Sequence, residues 1–449
     1  MPVKISVHER SVRESVLYQD KNFYISLAQM RRISRDFRSE MARGLAGDKS
    51  SLKMIPAYVD KPSGNEAGRF IALDLGGTNL RILQLELKGK GRILKHGEKK
   101  VVLGEKYIKG TAQSLFDFIA GFIKDFLREE GLEQTSGLML GFTFSFPIQQ
   151  SGIASGILVH WTKDFSVSGV VGKDVVVLLE AALKKKGIQN VSVAALVNDT
   201  VGTLAAGSYK DPACDIAVIL GTGTNACYQE KLSNILKWPG RKSKTGKMIV
   251  NIEWGNFNKI QLTEYDRLLD KKSDNPGFQI LEKMVSGMYL GEIARLLMVD
   301  LIKRKLLFRG GNLAVLGKEK IFKTEYMSRI EFDNSAEGVD IEALLKGLKV
   351  ADSSAQDRLL IKSICAAVST RATRISAAVL AGVITKIDPS LSRRHTVAVD
   401  GSVYEKYPGF AGNIEAALKE LFGKKSRNIV LKVTKDGSGI GAAIIAGIV

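Results

Sequence analysis

The stretch Phe70-Ile-Ala-Leu-Asp-Leu-Gly-Gly-Thr-Asn-Leu-Arg81 carries more information about the fold than any other part of the chain. The apolar run at residues 70–73 is typical of a buried strand, and Gly76-Gly77 permits a tight turn whose backbone N–H groups converge on an anion. Asp74 then lies where a divalent cation could approach it, and Thr78 and Arg81 follow as donors to phosphate oxygens. The stretch predicts a phosphate-binding hairpin, although an ordinary hairpin whose Asp forms an Asx-turn fits the same letters.

A second copy of the pattern favours the phosphate-binding interpretation. Residues 217–227 read Ala-Val-Ile-Leu-Gly-Thr-Gly-Thr-Asn-Ala-Cys, in which Thr224-Asn225 matches Thr78-Asn79. Two equivalent turns indicate a duplicated domain that holds one ligand from both sides. Leu220 stands where the first copy has Asp74, so only the first copy can supply a carboxylate to a metal.

The composition predicts sizeable hydrophobic cores and no membrane anchor. The 449 residues, of which 45% are hydrophobic, fit two or three domains or one large bilobal unit. No apolar run approaches the length of a membrane span, and the first ten residues include acidic and basic side chains where a signal peptide needs an apolar stretch. We therefore expect a cytoplasmic protein without a transmembrane segment.

The net charge of +19 raises the class of nucleic-acid-binding proteins as an alternative. The basic residues nevertheless occur in short clusters along the whole chain, so we interpret most of them as solvated surface and expect no nucleic-acid partner. The three cysteines and four histidines are widely spaced, which supports neither a disulfide framework nor a zinc site.

Hydrophobic periodicity alternates between strands and helices, which predicts an α/β fold. Residues 20–47 have helical spacing, with the predicted helix ending at Gly44. Further helices are predicted over residues 114–127, 175–186, 276–307, 356–382 and 413–422, and buried strands over residues 137–145 and 191–197. Residues 310–358 read as an insertion of shorter helices. The stretch Gly437-Ser-Gly-Ile-Gly441 predicts a final helix that returns to the first lobe, with its N-terminus facing a phosphate or as a plain glycine-rich helix start.

The strand predicted over residues 191–197 ends in Asn198-Asp199-Thr200, where ligands collect in open α/β sheets. A helix N-cap is the structural alternative for these residues. We take Asp199 as the candidate general base. Other polar groups end apolar runs in the same way and form the set of acids and hydroxyls that a polyhydroxylated substrate needs: Ser145, Thr162, Lys163, Glu253 and Glu282.

With these residues the chain resembles the hexokinases of the eukaryotic type, the ATP:hexose 6-phosphotransferases that include glucokinase. The resemblance spans nearly the whole chain, as a single catalytic unit. Its motifs occur in the family's order: Leu73-Asp-Leu-Gly-Gly-Thr-Asn-Leu-Arg81, Leu140-Gly-Phe-Thr-Phe-Ser-Phe-Pro147, Trp161-Thr-Lys163, Asn198-Asp-Thr200, Gly221-Thr-Gly-Thr-Asn225, Ile252-Glu-Trp-Gly255, Val399-Asp-Gly-Ser-Val-Tyr404 and Asp436-Gly-Ser-Gly439.

The resemblance implies two ribonuclease-H-like lobes of the actin-like ATPase superfamily around a deep cleft. Residues 66–197 and 436–449 would form the small lobe, and residues 1–65 and 198–435 the large lobe. It also implies a cytoplasmic monomer or homodimer that transfers the γ-phosphoryl group of ATP, with Mg²⁺, to the 6-hydroxyl of glucose or a related hexose. This reaction is the first step of glycolysis.

The resemblance assigns roles to individual residues. Asp199 would be the general base, Lys163 and Arg81 would complete the catalytic set, and Asp74 would lie near Mg²⁺ through a water molecule. The sugar would contact Ser145, Thr162, Lys163, Asn198, Asp199, Asn225, Glu253, Gln279 and Glu282. ATP would contact Asp74, Gly76, Gly77, Thr78, Asn79, Arg81, Gly221, Thr222, Thr324, Ser328, Gly401, Ser402, Ser438 and Gly439.

Two positions depart from the family pattern. Asp164 follows Trp161-Thr-Lys163 where the family usually has glycine, and Ile148-Gln149-Gln150 follows Pro147 where small residues are common. These changes bear on sugar preference more than on activity. A catalytically silent sugar sensor and an actin- or chaperone-like ATPase are the alternatives; the presence of Asp199 and Lys163 speaks against the first, and the sugar-type acids speak against the second.

Overall fold

The computed structural model describes residues 23–76, 79–162, 165–238, 240, 245–350 and 352–449. Its strands are β1 (Ile55–Pro56), β2 (Ala67–Gly76), β3 (Asn79–Lys88), β4 (Ile93–Val102), β5 (Leu138–Phe144), β6 (Ile148–Gly152), β7 (Ser155–Leu158), β8 (Val191–Val197), β9 (Cys214–Leu220), β10 (Thr224–Lys231), β11 (Lys247–Asn251), β12 (His395–Asp400) and β13 (Ile429–Val433).

The α-helices are α1 (Leu27–Ala46), α2 (Glu105–Ile108), α3 (Ala112–Glu129), α4 (Val175–Lys185), α5 (Asp199–Lys210), α6 (Glu264–Lys272), α7 (Ile280–Val285), α8 (Leu290–Lys303), α9 (Leu313–Leu316), α10 (Thr324–Phe332), α11 (Val339–Gly347), α12 (Ala355–Ile387), α13 (Ser402–Lys406), α14 (Phe410–Phe422) and α15 (Gly437–Ala446). The predicted insertion over residues 310–358 contains the short helices α9, α10 and α11.

Two sheets repeat one topology. The first has the strand order β4-β3-β2-β5-β8, and the second has the order β1-β11-β10-β9-β12-β13. In each sheet, three consecutive strands are antiparallel, and two later strands run parallel to the first of the three. The topology therefore contains the duplication that the two glycine-rich turns predicted. The division of the chain into lobes at residues 66–197 with 436–449 stays a prediction.

Helices α5 and α15 pack together between the sheets: α5 lies against β9, β10 and β12, and α15 lies against β5 and β2. Their contact requires glycine, because a Cβ atom at Gly441 would lie 1.7 Å from the carbonyl oxygen of Gly202. A Cβ atom at Gly141 would likewise lie 2.0 Å from the carbonyl oxygen of Ala442. Both helices begin at the carboxyl ends of parallel strands, where ligand sites form. The final helix therefore packs against the first sheet.

The N-terminal helix ends later than predicted. Helix α1 continues through Gly44, which packs so closely on the chain that a Cβ atom there would lie 2.5 Å from the carbonyl oxygen of Leu52. Gly47, with a φ of 88°, ends the helix, and its N–H donates to the carbonyl of Arg43. The glycine in the predicted end position therefore serves packing, and the later glycine serves as the cap.

The helix predicted over residues 276–307 is broken into α7 and α8. The N–H groups of Gly287 and Met288 donate to the carbonyl oxygens of Gly221 and Thr222, at 2.8 and 3.1 Å. These bonds to the second glycine-rich turn draw the chain out of the helical path between the two helices. A tertiary contact thus overrides the local periodicity.

Helix α12 is longer than the predicted range of residues 356–382. It is the one described helix that is long and apolar enough to cross a membrane, by length and composition alone. In the fold, 83% of its most apolar 18-residue stretch is buried. It packs against α1, α14 and α8, as expected of a core helix.

Candidate active site

The first turn of α5 presents the Asn198-Asp199 pair at the end of β8. The Asn198 side chain caps the helix, because its Oδ1 accepts from the Thr200 N–H at 3.0 Å and from the Thr200 hydroxyl at 2.6 Å. Oδ1 of Asp199 accepts from the same Thr200 N–H at 2.8 Å. The N-cap alternative is therefore correct for Asn198, and it leaves Asp199 half-buried and held in place at the N-terminus of the helix.

A second group of predicted residues joins the start of β10 to the end of β11. Nδ2 of Asn225 donates to Oδ1 of Asn251 at 2.9 Å and to Oε1 of Glu253 at 3.2 Å. Asn251 donates to the same Glu253 oxygen at 2.8 Å. Glu253 has a left-handed backbone, with a φ of 56°, which turns its side chain back toward this pair of amides. The carboxylate is thereby fixed by two amide donors.

The carboxylate of Glu282 reaches the second glycine-rich turn from α7. Its Oε2 accepts from the Thr224 N–H at 2.9 Å, and the Thr224 hydroxyl in turn accepts from Nε1 of Trp254 at 2.8 Å. Gln279 also belongs to this group, because its Oε1 would lie 2.3 Å from a Cβ atom at Gly255. The structure thus brings Asn225, Glu253, Gln279 and Glu282 to one edge of the second sheet.

This edge lies beside the first turn of α5. The thiol of Cys227, two residues after Asn225, donates to the carbonyl of Thr200 at 3.1 Å. The thiol is fully buried, and burial raises its pKa well above the usual range. Cys227 therefore fills space in the core and is not a reactive thiol. The Asn198-Asp199 pair therefore lies next to the four predicted sugar contacts of the second sheet, which are Asn225, Glu253, Gln279 and Glu282.

The first glycine-rich hairpin carries Asp74 near the C-terminal helix. Oδ2 of Asp74 accepts from the hydroxyl of Ser438 at 2.9 Å, in the first turn of α15. Gly76 lies next to both Asp74 and Ser145, since a Cβ atom there would be 3.5 Å from Oδ1 of Asp74 and 3.8 Å from Oγ of Ser145. The predicted sugar contact Ser145 and the predicted metal contact Asp74 therefore meet at the turn.

Arg81 is the cross-strand partner of Asp74. Its guanidinium donates to Oδ1 of Asp436 at 2.6 Å, and its Nε lies 2.6 Å from Oε1 of Glu98. Burial would lower the pKa of Arg81, but the bond to Asp436 and the charges of Asp436, Glu98 and Asp74 raise it. This charged cluster attaches β3 to the loop before α15.

Gly221 and Gly401, two predicted ATP contacts beside the second sheet, lie next to each other. Gly401 has a φ of 120°, and a Cβ atom there would lie 2.4 Å from the carbonyl oxygen of Leu220. A Cβ atom at Gly221 would lie 3.4 Å from the Cα atom of Gly401, so the two glycines lie against each other. The preceding residue, Asp400, accepts from the Gly437 N–H at 3.2 Å and so joins the second sheet to α15.

The loop before α4 approaches the site from the first sheet. Trp161 packs among Phe144, Phe146 and Phe165, and its indole N–H donates to the carbonyl of Val167 at 2.8 Å. Burial and the charge of Lys53 lower the pKa of His160, while the charge of Glu253 opposes them. The charge of Glu253 therefore acts on His160, which directly precedes Trp161 and Thr162 in the chain.

Some predicted residues do not join these groups. The hydroxyl of Thr324 accepts from the Gly291 N–H at 2.9 Å, and Ser328 lies one turn further along α10. Within the described part of the chain, no hydrogen bond joins these two side chains to either hairpin. Asn79, Thr222 and Ser402 are exposed, and Gly439 is buried in α15. Gly77, Thr78, Lys163 and Asp164 lie outside the described residues.

Sequence reasoning missed several residues that hold the site together. Asn251 fixes Glu253, Asp436 holds Arg81, Asp400 holds α15, and Thr143 donates to the carbonyl of Ser438 at 3.1 Å. Asn251 and Asp400 are polar residues at the ends of apolar strands, the same signal that identified Asn198 and Asp199. No comparable signal marks Thr143, which lies within a strand.

The arrangement fits a metal ion that arrives with a phosphorylated ligand. Among the described residues, no group of three or more His, Cys, Asp or Glu side chains is placed to hold a metal. Mg²⁺ is commonly bound by one or two carboxylates together with substrate phosphates. Asp74, fixed by Ser438 beside the turn, supplies one such carboxylate.

Comparison with known proteins gives the family. Two hexokinase family models match residues 18–209 and 215–448. Hexokinase-7 of Oryza sativa subsp. japonica is 42% identical over 432 residues, covering 93% of each chain, and hexokinase-2 of the same plant is 44% identical over 433 residues, covering 93% of this chain and 87% of its own. The solved hexokinase of Schistosoma mansoni, in complex with glucose, is 36% identical with a TM-score of 0.89 and covers 99% of this chain and 100% of its own. The chain belongs to the hexokinase family of ATP-dependent sugar kinases.

Proposed function

We propose that this kinase transfers the γ-phosphoryl group of ATP to the 6-hydroxyl of glucose or a related hexose, with Asp199 as the general base. The observation that carries the proposal is the position of the Asp199 carboxylate. It is fixed at the start of α5 beside the sugar-type side chains, and its charge also acts on Asp400, which adjoins the predicted nucleotide residues Gly401 and Ser402.

The sugar is held by groups that suit hydroxyls. Glu253 and Glu282 are acceptors, Asn198, Asn225 and Gln279 can both donate and accept, and Ser145 and Thr162 approach from the first sheet. Each of these side chains is half-buried, as expected for residues that line a cleft. The glucose in the Schistosoma mansoni structure, whose fold this chain shares, supports a hexose as the substrate.

In the proposed step, the oxygen of the sugar 6-hydroxyl bonds to the γ-phosphorus while Asp199 accepts the proton of that hydroxyl. The bond from that phosphorus to the bridging oxygen breaks, and ADP leaves. Such transfers need chiefly in-line positioning and charge stabilisation. Lys163, by resemblance, and Arg81 would supply positive charge near the transferred group.

The nucleotide phosphates are proposed to lie between the two glycine-rich turns. Residues 76–79 with Arg81 would contact them from one side, and Gly221 and Thr222 from the other, with Ser438 and Gly439 at the start of α15. Thr324, Ser328, Gly401 and Ser402 would surround the adenosine. Mg²⁺, when bound, would neutralise charge on the phosphate oxygens, and Asp74 is the side chain that would hold it through water.

We further propose a cytoplasmic protein, monomeric or homodimeric, that acts in the first step of glycolysis and binds no nucleic acid. The family membership supports the metabolic role. Size-exclusion chromatography with light scattering tests the oligomeric state, and fractionation of the source cells tests the location.

The reaction is tested by a coupled assay of ADP release with a panel of hexoses, with ATP and Mg²⁺ held constant. We expect glucose to be phosphorylated at the 6-position and Asp199→Ala to lower turnover by about 10²–10⁴-fold, because general-base catalysis contributes that much. Asp125→Ala, on the exposed face of α3, is the matched control.

Sugar binding by Asp199→Ala is measured in the same preparation from the fluorescence of Trp161 and Trp254, which lie at the site. We expect it to persist, because the other sugar contacts remain. Near-normal turnover of Asp199→Ala would remove Asp199 from the role of base. Absence of phosphorylation of every sugar by the wild type would reject the proposed reaction.

A further inference from the structure

A cavity of about 310 Å³ lies outside the proposed sugar and nucleotide residues. It opens between the C-terminal half of α5, the β12–β13 edge of the second sheet and the first turn of α15. Most of its wall is apolar and includes Ala206, Ala398, Val433 and Ile440, and Thr396 and Thr434 also line it. Its volume is at the lower end of the range for small-molecule sites.

Three lysines surround this cavity, each from a different position in the fold. Lys210 ends α5, Lys432 lies in β13, and Lys435 follows that strand. Their ammonium groups form no hydrogen bond or ion pair with any residue that the structure describes. Three unpaired cations around an apolar wall favour a ligand that brings a negative charge and an apolar body.

The carboxylate of Asp211, the residue after Lys210, is already occupied. Asp211 accepts from the hydroxyl of Thr396 at 2.9 Å, from the Ala213 N–H at 3.1 Å and from Arg394 at 3.2 Å. Burial would raise the pKa of Asp211, but these bonds and the charges of Arg394 and Lys432 lower it. One acid shared by several donors leaves the lysine group with a net positive charge.

We propose that this cavity is a binding site for a small organic anion with an apolar body, such as a medium-chain carboxylate or an aromatic sulfonate or phosphate. The acid group faces Lys210, Lys432 and Lys435, and the apolar part lies against α5 and Ile440. The anion replaces solvent as the partner of the three ammonium groups, and charge-assisted hydrogen bonds of this kind are stronger than neutral ones.

The position of the cavity connects it to the reaction. Its walls belong to α5 and α15, the helices that carry Asp199 and Ser438 in their first turns. The carbonyl of Thr434, in the wall, accepts from the Gly437 N–H at 3.1 Å. A ligand that contacts Thr434 and Ile440 therefore reaches the turn that holds Asp74, and we expect it to change the KM for ATP. This effect, unlike binding itself, rests on the proposed function.

Binding is tested with the full chain by fluorescence titration of 8-anilinonaphthalene-1-sulfonate, with sodium octanoate as a non-fluorescent competitor. We expect one saturable site with a Kd on the order of 10–100 μM. The titration is repeated with saturating glucose and ATP. Binding that persists places the probe outside the cleft, whereas displacement by either substrate assigns it to the cleft and overturns the proposal.

Three variants locate the probe. Thr434→Phe fills the cavity and should abolish the saturable signal. The double variant Lys432→Ala/Lys435→Ala removes two cations and should weaken binding about tenfold, as expected for lost hydrogen bonds to a charged group. The double variant Lys184→Ala/Lys186→Ala removes the same charge from the region of α4 and should bind as the wild type does.

Unchanged binding by Thr434→Phe, or equal weakening by both lysine pairs, would overturn the site. Circular dichroism establishes that each variant is folded, and the two lysine pairs keep the test decisive if Thr434→Phe does not fold. The kinetic effect is tested with octanoate at saturation, which should change the KM for ATP about twofold or more in the wild type and leave it unchanged in Thr434→Phe. Binding with an unaltered KM in the wild type would remove the connection to the reaction.

Discussion

The two glycine-rich hairpins share the sequence Gly-Thr-Asn, at residues 77–79 and 223–225, yet they differ in register. In the first hairpin Gly76 pairs with Asn79, so the two strands are joined by the two residues between them. In the second, Leu220 pairs with Thr224 and Ile219 with Asn225, which makes the turn one residue longer. As a consequence, Asn79 is exposed at the first strand position after its turn, whereas Asn225 lies inside its strand pair and contacts Glu253.

The hairpins also differ in where their charge comes from. In the first, Asp74 and Arg81 are cross-strand partners, so the hairpin carries its own carboxylate and its own cation. In the second, Leu220 is only 3% exposed, and the carboxylate comes instead from Glu282, which accepts from the Thr224 N–H. The first hairpin thus supplies its own charged pair, which the proposed function assigns to the nucleotide and Mg²⁺. The second relies on a carboxylate from α7, which the proposed function assigns to the sugar.

The largest effect expected from this comparison is that of Asp74→Ala. The variant removes the carboxylate that the first hairpin supplies at the position predicted for Mg²⁺, and loss of such transition-state stabilisation costs about 10²–10³-fold in turnover. Steady-state kinetics with ATP, Mg²⁺ and glucose varied in turn measure it. Isothermal titration with glucose should give unaltered affinity. A variant that loses sugar affinity while using ATP normally would reverse the assignment of the two hairpins.

The reciprocal change is Glu282→Gln. It replaces the carboxylate that the second hairpin borrows from α7, and loss of a hydrogen bond to a charged group should raise the KM for glucose about 10–100-fold. The KM for ATP should change little. Glu319→Gln is the matched control, because that carboxylate is half-exposed in a pair with Lys272, and such pairs contribute little. An equal rise in both KM values would contradict the division of roles.

Arg81→Ala should have a smaller effect, limited to the nucleotide. The guanidinium is already engaged by Asp436 and Glu98, so part of its role is to hold β3 against the loop before α15. We expect the KM for ATP to rise about tenfold, as for one lost charge-assisted contact. The variant Arg81→Lys keeps the charge but loses the fork of donors, so an intermediate KM is expected. Full activity of Arg81→Ala would assign the residue to structure alone.

Much of this fold could be predicted from local patterns. Apolar runs and glycine-rich turns are encoded over about ten residues, which is why β8 and both hairpins are found where the sequence indicates them. The duplication follows from the two turns, and the topology of the two sheets confirms it. The break between α7 and α8 could not be predicted, because it depends on bonds from Gly287 and Met288 to a turn more than sixty residues earlier in the chain.

The strand register of the two hairpins could not be predicted from the sequence either. The same letters allow either turn length, and the pairing is decided by which side chains each strand buries against its own sheet. Sequence reasoning identified polar residues at strand ends, but it could not identify Asp436 as the partner of Arg81, because 355 residues separate them. Contacts of this kind arise only when α15 returns to the first sheet.

The smallest expected effect concerns Asp400, which joins the two hairpins. It precedes Gly401, which lies against Leu220 of the second hairpin, and it accepts from the Gly437 N–H, next to the Ser438 that donates to Asp74 of the first. Burial raises the pKa of Asp400 to about 6, with further contributions from the charges of Glu405 and Asp199, while the N–H bonds of Gly437 and Gly401 oppose the rise. This carboxyl therefore titrates close to neutral pH.

The sign of the pH effect follows from that shift. The folded protein binds this proton more tightly than the unfolded chain, so this group alone makes the fold less stable as the pH rises from about 4 to about 6. In activity, the ionised carboxylate is the stronger acceptor for the Gly437 N–H. Protonation below pH about 6 should weaken that bond, loosen the first turn of α15 and raise the KM for ATP.

Asp400→Asn tests this connection, because the amide keeps the shape of the side chain and accepts equally weakly at every pH. At pH 7.5 we expect its KM for ATP to be about two- to fivefold above that of the wild type, because one hydrogen bond is partly lost. At pH 5.5 we expect the two KM values to match. ATP itself takes up a proton over this range, so the wild type and the variant are compared at each pH, with the exposed Asp48→Asn as the control. If the ratio of the two KM values stays constant from pH 5.5 to 7.5, Asp400 does not connect the hairpins through its charge, and the two turns act on their ligands independently.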